Sequence, residues 1–214
     1  MHVAELWRYP VKSMAGEKVD HIEVGPLGLA DDRKILVCKQ DGRIITSRAH
    51  PDLLGLKGTL GSDGRAYISG HVWDSPEALS LVRNAIGLDA TLRYYEGPER
   101  FDVLPLLVAS DGAISAFGHD SRRLRPNIII GEVEGLAERT WPGQHLHIGK
   151  VIIRVQNLRN RCVMTTFDPD TLVQDLDVIR QIVQKFDGSL ALNCDVVQGG
   201  EIRVGDAVHL SKSS

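Results

Sequence analysis

Short apolar runs separated by glycine-containing turns dominate the hydrophobic pattern of this chain. Four such runs are β-branched or alternate with polar positions, as strands do: residues 35–38, 44–46, 128–130 and 151–155. Asp41-Gly42 lies between two of the runs and predicts a hairpin, and Gly149-Lys150 predicts another. The pattern predicts a mainly β fold with a few helices, and many strands with tight returns favour a β-barrel.

Two helices are marked by their ends and by apolar residues spaced three or four positions apart. The first is predicted to follow the N-cap Ser75, to begin at Pro76 and to stop at Gly87, with a stripe of Leu79, Val82 and Ile86. The second is predicted from about residue 174 to Phe186, with a stripe of Leu176, Ile179, Val183 and Phe186. Both helices are expected to pack against a sheet.

Residues 112–126 show neither the alternation of a strand nor the three- or four-residue spacing of a helix. They predict a surface segment that carries exposed arginines at Arg122, Arg123 and Arg125. Elsewhere no repeat, low-complexity tract or Pro/Gly/Ser-rich linker divides the chain. We therefore expect one compact unit.

The composition is that of an ordinary globular protein, with 43% apolar and 25% charged residues. A net charge of −3 provides no basic field and argues against nucleic-acid binding. No stretch approaches the roughly 20 apolar residues of a membrane span, and the start lacks a signal-peptide pattern, which predicts a soluble, cytoplasmic protein without a membrane partner. Three widely spaced cysteines argue against a disulfide framework.

Cys162 is the cysteine with the most suggestive surroundings, because Arg159 and Arg161 precede it and Thr165 and Thr166 follow. Neighbouring guanidinium groups favour the thiolate, the form that attacks electrophiles and binds metals. The alternative is a small buried hydrophobe after a strand, which is what most free cysteines are. Cys38 lies inside an apolar run, and Cys194 precedes Asp195 with no cationic neighbour close in sequence, so both are expected to be structural.

Cations beside turn-forming residues recur in three distant segments. Lys12 and Ser13 follow Tyr9-Pro10, where an ammonium, a hydroxyl and backbone N–H groups can converge on an anion. Arg33 and Arg125 each stand at the mouth of a predicted strand, and guanidinium forks match phosphate or carboxylate geometry. Together they predict one anionic ligand, although each alone is also explained as a solvated or salt-bridged surface charge.

Six motifs occur in order along nearly the whole chain: Tyr9-Pro10-Val11-Lys12-Ser13, Asp32-Arg33, Thr46-x-Arg48, Arg125-Pro126-Asn127, Arg161-Cys162-x-x-Thr165-Thr166-x-Asp168-Pro169 and Gly200-x-Ile202-x-Val204-Gly205-Asp206-x-Val208. In this order they resemble MOSC proteins, which are named after the C-terminal domain of molybdenum cofactor sulfurases. Within that family the pattern is similar to that of the mitochondrial amidoxime-reducing component and its bacterial relatives.

The resemblance implies a MOSC β-barrel core over residues 96–214, preceded by an N-terminal β-barrel segment over residues 1–95. It implies a pterin-based molybdenum cofactor (molybdopterin), with Cys162 as the catalytic residue and the ligand to the metal. The residues it implies for cofactor binding are Lys12, Ser13, Arg33, Asp102, Arg125, Asn127, Asn160 and Arg161. Two positions depart from the family pattern: Leu104 often has a hydroxyl-bearing counterpart, and Leu172 stands where glycine is usual.

The implied reaction is reduction of N-hydroxylated or N-oxide compounds with electrons from a separate protein. The chain itself encodes no flavin, haem or iron–sulfur motif. A different function remains open, in which Cys162 carries a persulfide and the protein delivers sulfur or the cofactor. A binding module for another phosphorylated ligand ranks last.

Overall fold

In the computed structural model, residues 1–87 and 89–212 are described. The strands are β1 His2–Arg8, β2 Glu17–Val19, β3 His21–Gly25, β4 Gly28–Leu29, β5 Ile35–Cys38, β6 Gly58–Leu60, β7 Ala66–Ile68, β8 His71–Val72, β9 Thr91–Tyr94, β10 Leu106–Ser110, β11 Ile128–Gly131, β12 Gln144–Ile148, β13 Val151–Asn160, β14 Ser189–Gln198, β15 Gly200–Arg203 and β16 Val208–Lys212. The α-helices are α1 Pro76–Ile86, α2 Asp111–Phe117 and α3 Leu176–Phe186. The prediction of a mainly β fold with a few helices is confirmed.

The largest sheet has eight strands in the order β16-β12-β13-β14-β10-β11-β1-β2. Only its β10–β11 pair is parallel, and α2 forms the connection between these two strands. A bridge between His2 and Ala207 joins the start of β1 to the residues before β16, and Val208 N donates to Met1 O at 2.9 Å. These contacts close the sheet on itself, so that apolar side chains from seven strands face a common interior.

The two predicted hairpins form, with one difference. Gly149, at φ 56°, makes the two-residue turn between β12 and β13, where a left-handed backbone matches the strand twist. Gly42, at φ 88°, turns the chain after β5. The strand predicted over residues 44–46 is wrong, because that segment contributes only a bridge from Ile44 to Cys38 while β5 takes β9 as its ladder partner.

Helix ends follow the sequence signals closely. Ser75 Oγ accepts a hydrogen bond from Ala78 N at the start of α1, and Gly87 ends the helix at φ 62°. In α1 the inward face is Ala78, Val82 and Ile86, so Leu79 is only half-buried. Capping is therefore encoded locally, whereas the inward face depends on what the helix packs against.

The predicted stripe of α3 is wrong in phase. The helix buries Val178, Ile182 and Phe186, whereas Leu176 and Val183 are 47% and 58% exposed. The buried residues contact α2 and Leu190 in a separate apolar cluster. Docking against this cluster selects one of two overlapping apolar faces.

Residues 112–126 are more ordered and more enclosed than predicted. They contain most of α2, which is capped by Ser110 and ends at Gly118. The Arg123 side chain is only 9% exposed and donates to Asp168 Oδ2 at 2.9 Å, so its predicted exposure is wrong. Arg125 packs on the Tyr9 ring with 4.4 Å between the guanidinium carbon and the ring centroid, and its predicted exposure is also wrong. Across the described residues, no helix is long and apolar enough to span a bilayer.

The corrected phase of α3 predicts unequal effects of truncating neighbouring residues. Ile182→Ala should lower the free energy of unfolding by about 2–5 kcal/mol, because it opens a cavity under a side chain with no exposure. Val183→Ala is the matched control and should change it by less than about 0.5 kcal/mol. Denaturant unfolding of both variants measures this, and equal losses would contradict the assigned face.

Candidate functional site

The residues predicted for the site lie in one cleft, which we call the main cleft. It forms where the segments after β1, before β10, before β11 and after β13 meet. The nine predicted residues that line it are Lys12, Ser13, Arg33, Asp102, Arg125, Asn127, Asn160, Arg161 and Cys162. Their convergence supports the expectation that distant motifs serve one ligand.

Three residues of the main cleft have left-handed backbones. Ser13, Arg33 and Arg125 have φ values of 73°, 56° and 57°. Such conformations are uncommon outside glycine and persist only where surrounding contacts impose them. Arg33 N donates to Tyr9 O at 2.7 Å, and Arg125 N donates to Arg122 O at 3.1 Å. Two of the three residues are cations of the cleft, Arg33 and Arg125.

A buried carboxylate joins the first two motifs to the fourth, Arg125-Pro126-Asn127. Asp32 has no exposed surface, and its Oδ1 accepts from Tyr9 N at 2.8 Å. Its Oδ2 pairs with Arg33 and accepts from Asn127 Nδ2 at 3.2 Å. Asn127 Nδ2 also donates to Trp7 O, and its Oδ1 accepts from Leu107 N and Arg33. The Asn127 amide is therefore engaged within the protein and positions Arg33.

Lys12 and Asp102 form a partly buried ion pair. Lys12 Nζ lies 2.6 Å from Asp102 Oδ1 and donates to Arg100 O at 2.7 Å. Burial lowers the pKa of Lys12, although Asp102 opposes this effect. Burial acts to raise the pKa of Asp102, but Lys12 and then Arg159 hold that pKa below its ordinary value. Lys12 Nζ thus uses two of its three donors within the protein, and one remains for a ligand.

The Lys12–Asp102 pair predicts a pH-dependent loss of stability in Asp102→Asn. The depressed carboxyl pKa contributes stability that is present above the ordinary Asp pKa and lost as pH falls through the folded-state value. The variant should therefore lose about 1–2 kcal/mol at pH 7, and the difference from wild type should shrink below about pH 4. Urea unfolding between pH 7 and pH 3 measures this, with exposed Asp20→Asn as control. A difference independent of pH would exclude the ionic explanation.

Two guanidinium groups of the cleft are enclosed without a carboxylate partner. Burial lowers the pKa values of Arg125 and Arg161 to about 10. Arg161 Nη2 donates to Leu124 O at 2.7 Å, but its buried Nε has no partner. Within the described part of the chain, Arg125 packs on Tyr9 and forms no ion pair. Enclosed charges without partners are costly and indicate a site that an anion completes.

Cys162 differs from the other two cysteines in its exposure. It follows β13 and precedes a 3₁₀ turn, Val163–Thr166, and its carbonyl accepts from Thr165 N at 3.0 Å. Bulges in the β13–β14 ladder next to Asn157 and Asn160 turn the end of β13, a common way to aim side chains at a site. Cys38 and Cys194 are buried, and burial raises the pKa of both thiols. Cys162 is therefore the accessible sulfur.

Other residues complete the main cleft and were missed as site residues in the sequence prediction. They are Thr46, Arg48, Phe101, Arg123, Arg159, Met164, Thr165 and Asn193, with the apolar residues Val103, Leu104, Leu106, Leu107 and Leu124. Arg159 could have been found, because it alternates with Arg161 at the end of one strand. Arg123 could not, since only its tertiary contacts enclose it.

The main cleft carries a strong excess of positive charge. Among the described residues that line it are seven cations and one carboxylate, that of Asp102. Arg159 Nη2 lies 3.6 Å from Asp102 Oδ2, and Arg48 Nη2 lies 3.9 Å from the same oxygen. Arg33 pairs with Asp32 and Arg123 pairs with Asp168, so three carboxylates face the seven cations and an excess of positive charge remains. The arrangement suits a polyanionic ligand placed beside a thiol sulfur.

The fold and cleft define a class: a β-barrel protein with a cationic cleft that ends at one accessible cysteine. Residues 1–81 match the MOSC N-terminal beta barrel domain, and residues 112–209 match the MOSC domain. The chain therefore belongs to the MOSC family and carries both of its domains. The predicted resemblance is confirmed, and residues 82–111 lie between the matched ranges.

Curated relatives cover almost the whole chain. Mitochondrial amidoxime reducing component 2 from Macaca fascicularis is 26% identical over 97% of this chain and 82% of its own length. Mitochondrial amidoxime-reducing component 1 from Homo sapiens is 26% identical with the same coverage. The crystal structure of the YUAD protein from Bacillus subtilis aligns with a TM-score of 0.55 at 12% identity, covering 100% of this chain and 96% of that one, which shows a shared fold.

The two departures from the family pattern have structural consequences. Leu104 lines the main cleft, where a methyl-bearing side chain offers no hydrogen bond. Leu172 has a φ of 58°, a left-handed backbone that glycine adopts without a steric penalty. Its Cδ1 would lie 2.9 Å from a Cβ added at Gly55. The leucine therefore keeps a glycine-type backbone and packs closely over Gly55.

Proposed function

We propose that this chain binds a molybdenum cofactor in the main cleft and uses it to reduce N-hydroxylated or N-oxide compounds. In this reaction the N–O bond breaks and the oxygen leaves as water, which consumes two electrons and two protons. A separate redox protein supplies the electrons. The likeness to proteins named amidoxime-reducing components supports the substrate class.

The observation that carries the proposal is the pairing of uncompensated guanidinium groups with an accessible sulfur. The unpartnered Nε of Arg161 and the unpaired Arg125 fit an anionic group such as a phosphate. Cys162 lines the same cleft, and a soft thiolate suits a metal that is already bound by sulfur atoms. The residues present therefore fit a phosphorylated, sulfur-bound metal cofactor.

Each residue then has a defined task. Lys12, Ser13 and Arg33 hold the phosphate end together with Arg125 and Arg161. Cys162 is the metal ligand, and Arg159 and Arg161 line the cleft beside it. When bound, the cofactor supplies the two-electron oxygen-atom chemistry.

Asn160 and Arg161 fix the backbone that carries the sulfur. Asn160 Oδ1 accepts from Ser189 Oγ at 2.7 Å, and Arg161 N donates to Gly188 O at 2.9 Å. Both contacts tie the end of β13 to the turn before β14. Such outer contacts orient a metal ligand and tune the metal.

Molybdenum and pterin content test the proposal. The full chain is purified from a host that makes the cofactor and from a host that lacks its synthesis. We expect molybdenum and phosphorylated pterin near one per chain in the first preparation and neither in the second. Reduction of benzamidoxime with a chemical electron donor then tests the reaction. Equal trace contents in both preparations would overturn cofactor binding, and a loaded protein inactive toward N-oxygenated compounds would overturn the reaction.

A second candidate function uses the same sulfur as a carrier. The exposure of Cys162 beside Arg159 and Arg161 also suits a persulfide that passes its outer sulfur to a partner. Intact-mass measurement after incubation with cysteine and a cysteine desulfurase tests this function. One added sulfur on Cys162 would support it, and an unchanged mass would remove it.

We also propose the division of the chain into a segment over residues 1–95 and a core over residues 96–214. The matched ranges, residues 1–81 and 112–209, support a transition within residues 82–111. In the main cleft, Lys12 and Arg33 come from the first part, and Arg125 and Cys162 come from the second. In this proposal the ligand bridges both parts.

A further inference from the structure

A second cavity lies next to the main cleft. It has a volume of about 540 Å³, within the roughly 300–1,000 Å³ typical of small-molecule sites. Arg123, Arg125 and Met164 line both the second cavity and the main cleft, so these three side chains form the wall between them. The residue roles proposed for cofactor binding in the main cleft do not involve the second cavity.

The far wall of the second cavity is apolar and partly aromatic. Trp7 and Phe167 contribute flat rings, and Leu54 and Pro169 contribute aliphatic surface. The Tyr9 ring lies beneath the Arg125 guanidinium. Walls of this kind hold a flat apolar body by stacking and by excluding water.

The charges around the second cavity leave positive groups without partners. Its two carboxylates are engaged: Glu17 Oε1 lies 2.6 Å from Arg8 Nη2, and Asp170 Oδ2 lies 2.7 Å from Arg122 Nη2. Lys18 pairs with Glu5, and Arg123 pairs with Asp168.

Lys57 and Arg125 are the two remaining cations of this wall. Neither forms an ion pair with any residue of the ranges 1–87 and 89–212. Lys57 is exposed at the rim, whereas Arg125 is enclosed against Tyr9. The cavity therefore offers one charge at its mouth and one at its inner wall.

We propose that the second cavity binds a small organic anion with a flat apolar body, such as an aromatic carboxylate. Trp7 and Phe167 hold the ring, and Arg125 and Lys57 hold the charge. Arg125 thereby contacts an anion on each side of the wall, which its planar fork of five N–H donors permits. The proposal does not depend on a metal in the main cleft.

Calorimetric titration of the full chain with naphthalene-2-carboxylate tests the proposal, with the neutral naphthalene-2-carboxamide as matched probe. We expect saturable binding of one carboxylate per chain, about tenfold tighter than the amide because the charge is recognised. No saturable binding, or equal affinity for both probes, would overturn the proposal. The readout is binding alone, so its failure is separate from that of molybdenum binding or reduction.

Variants locate the binding. Lys57→Gln should weaken binding of the naphthalene carboxylate by about fivefold and leave binding of the amide unchanged, because it removes one exposed ion pair. Arg48→Gln is the control, since Arg48 is exposed and lines only the main cleft. It should leave both affinities unchanged. Carboxylate binding that is lost in Arg48→Gln or unaffected in Lys57→Gln would place the probe elsewhere and overturn the assignment.

Discussion

Cys162→Ser should abolish reduction of N-oxygenated compounds and leave the fold intact. A serine hydroxyl is a poor ligand for a soft metal, so molybdenum retention should fall together with activity. Loss of a residue that merely orients a metal ligand typically lowers metal affinity or activity by about 10–100-fold. Removal of the ligand itself should lower activity by at least about 100-fold. Steady-state rates per folded protein and molybdenum content measure both effects.

The fold should tolerate this substitution, which makes the result interpretable. Within residues 1–87 and 89–212, the hydrogen bonds of Cys162 are those its carbonyl accepts from Thr165 N and Oγ1, and serine preserves both. The control is Cys38→Ala, at a buried thiol outside the main cleft, which should lower stability but leave activity per folded protein unchanged. Full activity in Cys162→Ser would overturn the role of this sulfur.

Local signals in the sequence predicted several elements correctly for physical reasons. Ser75, Pro76 and Gly87 define α1 because capping and left-handed termination depend on neighbouring residues alone. Gly149 defines a hairpin because its backbone conformation selects the turn. By contrast, Leu176 and Val183 of α3 are as apolar as Val178 and Ile182, so only the packing partner decides which face is buried.

The sequence predicted nine of the residues that line the main cleft, but not the contacts among them. Lys12, Arg33, Arg125 and Cys162 could be grouped because turn chemistry and an ordered family pattern mark them. The engagement of Asn127 with Asp32 and Arg33 required tertiary structure, since these residues lie far apart in sequence. The same holds for the enclosure of Arg123, which depends on Asp168.

Arg161→Met should stabilise the cofactor-free protein and weaken its binding of anions. Burial lowers the pKa of Arg161 from 12.5 to about 10, which corresponds to a penalty of about 3 kcal/mol for the charged form. Below about pH 10 the guanidinium is charged in both the folded and the unfolded state, so this penalty is complete and constant at neutral pH. Methionine fills a similar volume without a charge. The free energy of unfolding should therefore rise by about 1–3 kcal/mol, even though the hydrogen bond to Leu124 O is lost.

The same substitution should weaken pyrophosphate binding to the cofactor-free chain by at least tenfold, because an enclosed charge contact is worth about 2–5 kcal/mol to a bound anion. Thermal unfolding with and without pyrophosphate measures both effects on one sample. Arg154→Met, in β13 and paired with Asp195 at the surface, is the matched control and should change neither. If Arg161→Met destabilises the cofactor-free protein, Arg161 is a structural residue. If it stabilises the protein without weakening pyrophosphate, the anion binds elsewhere. A gain in stability together with a loss of pyrophosphate affinity would identify Arg161 as a charge that serves ligand binding rather than folding.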